Sequence, residues 1–490
     1  MQINNQVQLI TYPDSLGADL PALERLLQQY FQDVFPGGIH ILPPFPSSAD
    51  RGFAPTDYFQ IDPRFGSWED LRRLGERFPV LLDLMVNHLS RQSAYFKDFA
   101  RRGRRSPHAG LFLTLDKIWP GADPPAEEVE EIFLRRPAPP FVEIPIAETG
   151  EVERVWATFG TAGWSEQIDL DVNSAATRAL FADILAHFSR HGVKFVRLDA
   201  VAYVTKKPGT NCFFVEPEIY EFLKWMEETA QGLGIGLLPE VHAQPELQVK
   251  LARRGYRVYN FILPLLVLHT FTNRSSAALQ QHLHACPQMQ FTNLDTHDGI
   301  PVWPDLAGAL DLDSAQVVVQ KCLERGANLS RIFSPRHQPR PDFDAHQINI
   351  TYYDALGRDD QAYIAARAIQ LFSPGVPQIY YVGLLAGEND LLAVERTGER
   401  RAINRHNFTE AEVERALEKP VIRRLLELIR FRNRHPAFNG DFRVIDSPEH
   451  LLRLAWKEGD AYCELQVDLE RQSALIQHRT VDGKLIEYRP

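Results

Sequence analysis

Cysteine is scarce in this chain. Four occur in 490 residues, Cys212, Cys286, Cys322 and Cys463, and none forms a CxxC pair. So few, so spaced, argue against a disulfide framework or a thiolate metal site and predict reduced thiols in a cytoplasmic protein. Long apolar runs are lacking too. The strongest, Phe261 to Phe271, contains Pro264 and His269 and is too short to cross a bilayer, so no membrane partner is expected. The first residues, Met1-Gln-Ile-Asn-Asn-Gln6, show neither the basic start nor the apolar stretch of a signal peptide. An excess of positive charge is also absent. Lys and Arg number 53 against 64 Asp and Glu, a net charge of −11, and no basic stripe speaks for nucleic acid. A small anionic substrate answers to the local field and remains compatible. Internal repeats, low-complexity tracts and coiled-coil heptads do not occur.

What is present is an ordinary globular composition, 44% apolar and 24% charged, in a chain long enough for more than one domain. Short apolar runs alternate with amphipathic stretches, the pattern of a parallel sheet wrapped by helices. Eight runs read as strands: Gln6–Tyr12, Gly38–Pro43, Val80–His88, Val193–Val201, Gly234–His242, Val258–Leu263, Met289–Asp298 and Val376–Val382. Eight parallel strands close a (β/α)8 TIM barrel. Ser67 is a helix cap before Leu71 and Leu74. Ser174 opens a run with Leu180, Ile184, Leu185 and Phe188 at helical spacing, and Ile219, Phe222, Leu223 and Met226 repeat the pattern.

The expected organisation is an α/β fold, a TIM barrel with two inserted subdomains and a small C-terminal β domain. The barrel takes 1–88, 168–298 and 350–432. One insertion takes 89–167, after the third strand, and a second takes 299–349 with a substrate loop. The β domain takes 433–490, where short alternating runs such as Leu452–Trp456 begin.

Four apolar runs end in polar groups: Asp83-Leu-Met-Val-Asn87-His88, Val196-Arg197-Leu-Asp199-Ala200, Pro239-Glu240-Val-His242 and Leu294-Asp295-Thr-His297-Asp298. Residues at the C-terminal ends of barrel strands converge on one face. Cleaving a glycosidic bond with retention needs a carboxylate nucleophile and a carboxylic acid. Asp199 is the candidate nucleophile, because Arg197 lies two residues earlier on the same side of the strand and favours the ionised form. Glu240 suits the general acid/base. Asp298, with His297, suits the holding of sugar hydroxyls and of oxocarbenium charge, and His88 can donate to a hydroxyl. Taken singly, an Arg-x-Asp at a strand end is usually a structural ion pair; four such signals in order are not. Glu240, His242, Asp295, His297 and Asp298 mix metal-ligand types, yet without HExxH or clustered cysteines no metal is predicted.

This order of motifs resembles glycoside hydrolase family 13, the α-amylase clan. Further stretches are similar to its sucrose phosphorylase subgroup over nearly the whole chain: Val7–Tyr12, Gly38–Pro43, Ala49–Phe53, Gly209–Phe213, Gln347–Tyr353 and Ile403-Asn-Arg-His406. The resemblance implies double displacement with phosphate as second acceptor. The glucosyl group passes to Asp199 while Glu240 protonates the leaving ketose, and α-glucose 1-phosphate follows. It implies glucose contacts from Asp50, Phe53, His88, Phe159, Arg197, His297, Asp298 and Arg401, and no metal or organic cofactor. Arg136 and Tyr203 match phosphate contacts, and His242 and Gln347 fall with them at the phosphate and fructosyl end.

Two positions depart from the plain pattern. Leu134-Arg135-Arg136-Pro137 stands where the subgroup has Arg-Pro-Arg-Pro, and His346 stands where it has tyrosine. Both resemble sucrose 6-phosphate phosphorylases, which implies that Arg135 and His346 grip a ketose 6-phosphate. Lys206 and Lys207 are further candidates. Hydrogen bonds to a charged group contribute about 1.5–3 kcal/mol each, so two shift preference by roughly 10²- to 10⁴-fold. Plain sucrose, glucosylglycerol and glucosylglycerate remain open as donors. The expected partners are small molecules only, and the expected state is a monomer or homodimer.

Overall fold

The computed structural model describes residues 5–121, 123–479 and 483–490. Residues 1–4, on which the reading of the N-terminus partly rests, lie outside them. Each of the eight expected runs contains a strand: β1 Gln8–Thr11, β2 Gly38–Ile41, β3 Val80–Met85, β4 Phe195–Asp199, β5 Gly236–Pro239, β6 Val258–Asn260, β7 Gln290–Thr292 and β8 Val376–Tyr380. They form one eight-stranded sheet in the order β6-β7-β8-β1-β2-β3-β4-β5, a cyclic permutation of chain order. The pairings are parallel wherever register is defined. Every residue of these strands is buried, which is why they read as unbroken apolar runs rather than alternating ones. This is the TIM barrel that the strand count predicts.

The helices between the strands start where the caps predict. Ser67 caps Trp68–Gly75 in a full capping box, its partner being Asp70. Ser174 caps Ala175–Arg190 through the Ala176 amide. The apolar run around Phe261 becomes the buried helix Leu263–Asn273, with Pro264 in its first turn, where a missing N–H costs nothing. Among the described residues no helix is long and apolar enough to cross a membrane.

The chain divides into two compact units. The first comprises Ile41–Val241 with Ile332–Asp344. It carries β3, β4, β5 and the excursion after His88, whose hairpin Phe141–Pro145/Val152–Trp156 packs Trp156 with Leu113, Leu115, Trp119, Ile132 and Cys212. The segment Ile332–Asp344 is strapped to this excursion. The Ser334 hydroxyl accepts from the Leu134 amide and donates to the Ile132 carbonyl, both at 3.0 Å, and Arg336 pairs with Glu130 and Glu131.

Among the described residues, the second unit comprises 5–40, His242–Arg331, 345–479 and 483–490. It holds β1, β6, β7 and β8, a three-stranded sheet in which Ala345–Asn349 is central, and a five-stranded antiparallel meander over Asp441–Tyr488. Trp456 of the meander donates its indole N–H to the Phe372 carbonyl at 2.7 Å. Phe438 meets Phe372 edge-on at 5.0 Å, so this sheet shares a core with the helices Asp360–Phe372 and Pro420–Arg434.

Candidate active site

In the first unit, the parallel register of β3 and β4 sets Asp83 beside Arg197 and Met85 beside Asp199. β5 runs alongside, with Leu198 opposite Pro239, so Glu240 leaves its strand next to Asp199. The Arg197 guanidinium is the hub. Its Nη1 donates to Asp83 at 2.5 Å and to Asp199 at 2.9 Å, and its Nη2 pairs with Glu240 at 2.8 Å. All four side chains are almost wholly buried. A buried guanidinium fork with this many carboxylate partners is compensated, and its planar geometry holds two of them as neighbours. Ala200 turns the chain directly after Asp199 with a left-handed φ of 54°, and its amide donates to the second Glu240 oxygen at 2.8 Å. Asp199 and Glu240 are thus tied together twice, through a side chain and through the backbone.

The surrounding candidates fall into place by strand and turn. Phe53 lies 5.8 Å from the Arg197 guanidinium across its ring face. It follows Asp50 and Arg51, both at positive φ, in the short 3-10 turn Asp50–Gly52. His88 donates from Nε2 to the Phe53 carbonyl at 2.9 Å, and burial lowers its pKa against the opposing pull of Asp169. A neutral imidazole held this way keeps a fixed tautomer. The rings of His88, Phe159, Tyr203 and Phe213 form an edge-to-face chain with centroid separations of 5.1–5.4 Å.

Arg135 bridges Phe159 through the backbone. Arg136, beside it, is fully buried and donates to the carbonyls of Ala157 and Ala162; burial lowers its pKa. Lys206 is buried between the Asp169 carboxylate at 2.8 Å, the Asn87 amide oxygen at 2.9 Å and the Tyr203 carbonyl. Lys207 pairs with Glu218 at the surface. Lys206 therefore acts as an internal strut, and Lys207 as a surface ion pair.

In the second unit, Asp298 takes Arg401 at 2.6 Å and His297 at 3.7 Å. Arg401 also donates to the Gln347 side-chain oxygen at 2.9 Å. Below them, Asn404 donates its amide to the carbonyls of Thr296 and Asp298, and Arg405 donates to that of His297. Three successive carbonyls of the turn after β7 are thus held by two adjacent residues. His346 donates from Nδ1 to the Trp303 carbonyl at 2.6 Å and is buried. His242 stacks on Phe261 at 3.9 Å and meets Asp305 at 3.3 Å.

Several of these partners escaped the sequence reading. Asp83 stood in a quoted motif without a role, and Asn404 and Arg405 stood in Ile403-Asn-Arg-His406. Ala200 likewise stood in its motif without a role, and Asp169 and Asp305 carried no signal: a buried acid after Trp303-Pro304 looks like any turn in sequence.

The chain is similar to known proteins over its whole length. Residues 19–251 match the family model described as alpha amylase, catalytic domain. The chain is 54% identical over 488 residues to sucrose 6(F)-phosphate phosphorylase of Thermoanaerobacterium thermosaccharolyticum, covering 100% of both chains. It is 41% identical over 474 residues to sucrose phosphorylase of Streptococcus mutans, covering 96% of this chain and 97% of that protein. The crystal structure of sucrose 6F-phosphate phosphorylase from Thermoanaerobacter thermosaccharolyticum is similar with a TM-score of 0.98 at 54% identity, covering 100% of this chain and 99% of that one. A strand-end carboxylate pair on one arginine and relatives matched end to end lead to the same assignment: the chain belongs to glycoside hydrolase family 13, within its sucrose phosphorylase subgroup.

Proposed function

We propose that the chain is a retaining phosphorylase that cleaves sucrose 6-phosphate with inorganic phosphate, giving α-glucose 1-phosphate and fructose 6-phosphate. The observation that carries the chemistry is the pairing of Asp199 and Glu240 on the two ends of one guanidinium. Neighbouring carboxylates suit the double-displacement route, in which one attacks and the other handles the proton. Asp199 attacks the anomeric carbon as Glu240 protonates the departing fructosyl oxygen. A phosphate oxygen then attacks the same carbon, any proton it carries passes to Glu240, and Asp199 leaves. Two inversions give net retention.

His297, Asp298 and Arg401 serve the glucosyl ring, with Asp50, Phe53, His88 and Phe159 as its further contacts. Arg136 supports the choice of phosphate over water. It is a buried cation whose hydrogen-bond partners among the described residues are carbonyls, with Asp169 acting on it only at longer range, and a bound anion would compensate it further. Tyr203, His242 and Gln347 complete the phosphate and fructosyl end, and Arg135 and His346 take the ketose 6-phosphate. The full-length likeness to a sucrose 6(F)-phosphate phosphorylase supports that last step. The free, buried cysteines support a cytoplasmic location, and we expect a monomer or homodimer.

The test compares kcat/KM for sucrose 6-phosphate and sucrose with phosphate present. A preference for the phosphorylated sugar of at least about 10²-fold is expected. Equal values, or a preference for sucrose, would leave plain sucrose phosphorolysis standing, and turnover of glucosylglycerol or glucosylglycerate alone would move the donor there.

A further inference from the structure

Asp305 is completely buried, and its second carboxylate oxygen has no hydrogen-bond partner among the described residues. Its side-chain partner is Nδ1 of His242, at 3.3 Å. A carboxylate so far from water needs a compensating partner. The imidazole beside it is clamped on its other face by Phe261, nearly parallel at 17°, and Tyr259 stacks behind Phe261 at 4.7 Å. Phe261 and Asp305 thus both bear on the position and rotation of the His242 ring.

The same short segment also holds the second histidine of this region. Val302 donates its amide to the His346 carbonyl at 3.0 Å, and His346 returns a bond from Nδ1 to the Trp303 carbonyl. Residues 302–305 thus grip both histidines by Nδ1, one through a neutral carbonyl and one through a carboxylate. The difference in partner has a chemical consequence. A carbonyl fixes a tautomer only, whereas a buried carboxylate favours a ring that carries protons on both nitrogens.

We infer that Asp305 is a positioning residue for the phosphate acceptor: it orients His242 and supplies the counter-charge that lets this ring present a cation to inorganic phosphate. The inference rests on the phosphorolytic reading above. Asp305 touches no substrate in it, and it acts through His242 on the second half-reaction, in which phosphate competes with water for the glucosyl group.

The test uses the full chain with sucrose 6-phosphate and inorganic phosphate, and with sucrose as a second donor. It measures glucose 1-phosphate and free glucose together. Asp305→Asn keeps the shape and removes the charge. We expect its KM for phosphate to rise about tenfold and the ratio of glucose 1-phosphate to glucose to fall by a similar factor, the loss of one charged hydrogen-bond partner. His242→Gln should match it, and the double variant should be no worse than His242→Gln alone. A phosphate KM within about twofold of the parent, or donor and phosphate KM rising in step, would overturn the role. Should Asp305→Asn not fold, His242→Gln decides: an unchanged phosphate KM refutes the inference and a raised one supports it. Failure of the underlying reading looks different, since the parent itself would then release glucose and no glucose 1-phosphate, and both readings would fall together.

Discussion

A single residue ties together the carboxylates to which the proposed function assigns the chemistry. Arg197 serves Asp83, Asp199 and Glu240 at once, so its charge is shared before any substrate arrives. In the proposed function, substrate choice belongs to other residues. Arg135→Ala and His346→Ala should each raise KM for sucrose 6-phosphate about 10-fold or more while leaving sucrose nearly unaffected; equal losses on both sugars in steady-state assays would assign them to common steps. His282 carries a stability prediction of another kind. Burial depresses its pKa from 6.5 to about 4, and its ring bonds the Asn260 side chain at 2.9 Å. The folded state resists a proton that the unfolded chain accepts. Its stabilising contribution is therefore present above pH 6.5 and lost as pH falls towards 4, a change of about 3 kcal/mol. Thermal melts of the parent across that range should steepen in their decline, and His282→Gln should flatten part of it. A variant that follows the parent curve throughout would contradict this.

Elements are tied to one another in places the motifs do not reveal. Lys206 joins the end of β3 through Asn87, the strand Gln167–Asp169 through Asp169, and the turn Val201–Tyr203 through its last carbonyl. Lys206→Met would leave a buried carboxylate uncompensated at a cost of about 3–5 kcal/mol. Differential scanning calorimetry should show a drop of several degrees, and a melting midpoint within about one degree would refute the strut. At this scale the limits of sequence reading are physical. The eight strands and the Ser67 and Ser174 caps were legible because burial on both faces and a first-turn hydrogen bond each impose a local pattern. Ser334 reaching the backbone of Leu134, 200 residues away, imposes none. The site divides the same way. Asp199 ends β4, with Arg197 two residues earlier inside it, and Glu240 directly follows β5, so these positions carry a local pattern; Asp298 lies in the turn six residues past the end of β7, and Asp169 and Asp305 acquire their contacts only through partners brought near by folding.

Across the whole molecule, all four cysteines are buried, three of them in helix or sheet packing and Cys212 in the core of the excursion. Burial raises Cys286 to about 11 and Cys322 to about 12. The thiolate is the reactive form, so these thiols should be inert in the native protein. Titration with an aromatic disulfide reagent should detect no fast thiol before denaturation and four after it; a fast native thiol would show that one of these cores opens readily. The meander at the C-terminus packs Trp456 on Phe438, in the turn that precedes it, and bonds the Phe372 carbonyl, so it shares packing with a helix of its own unit.

The turn at Ala200 bears on how such a protein diversifies. The donor of the bond to the Glu240 carboxylate belongs to the main chain, so changing the side chain at position 200 to anything but proline leaves that donor in place. In the proposed function this bond holds Glu240 beside Asp199 whatever residues the segments bearing Arg135 and His346 carry. Chemistry wired through the backbone is insulated from the drift that changes which sugar is accepted, so one reaction can be inherited intact under many donor preferences.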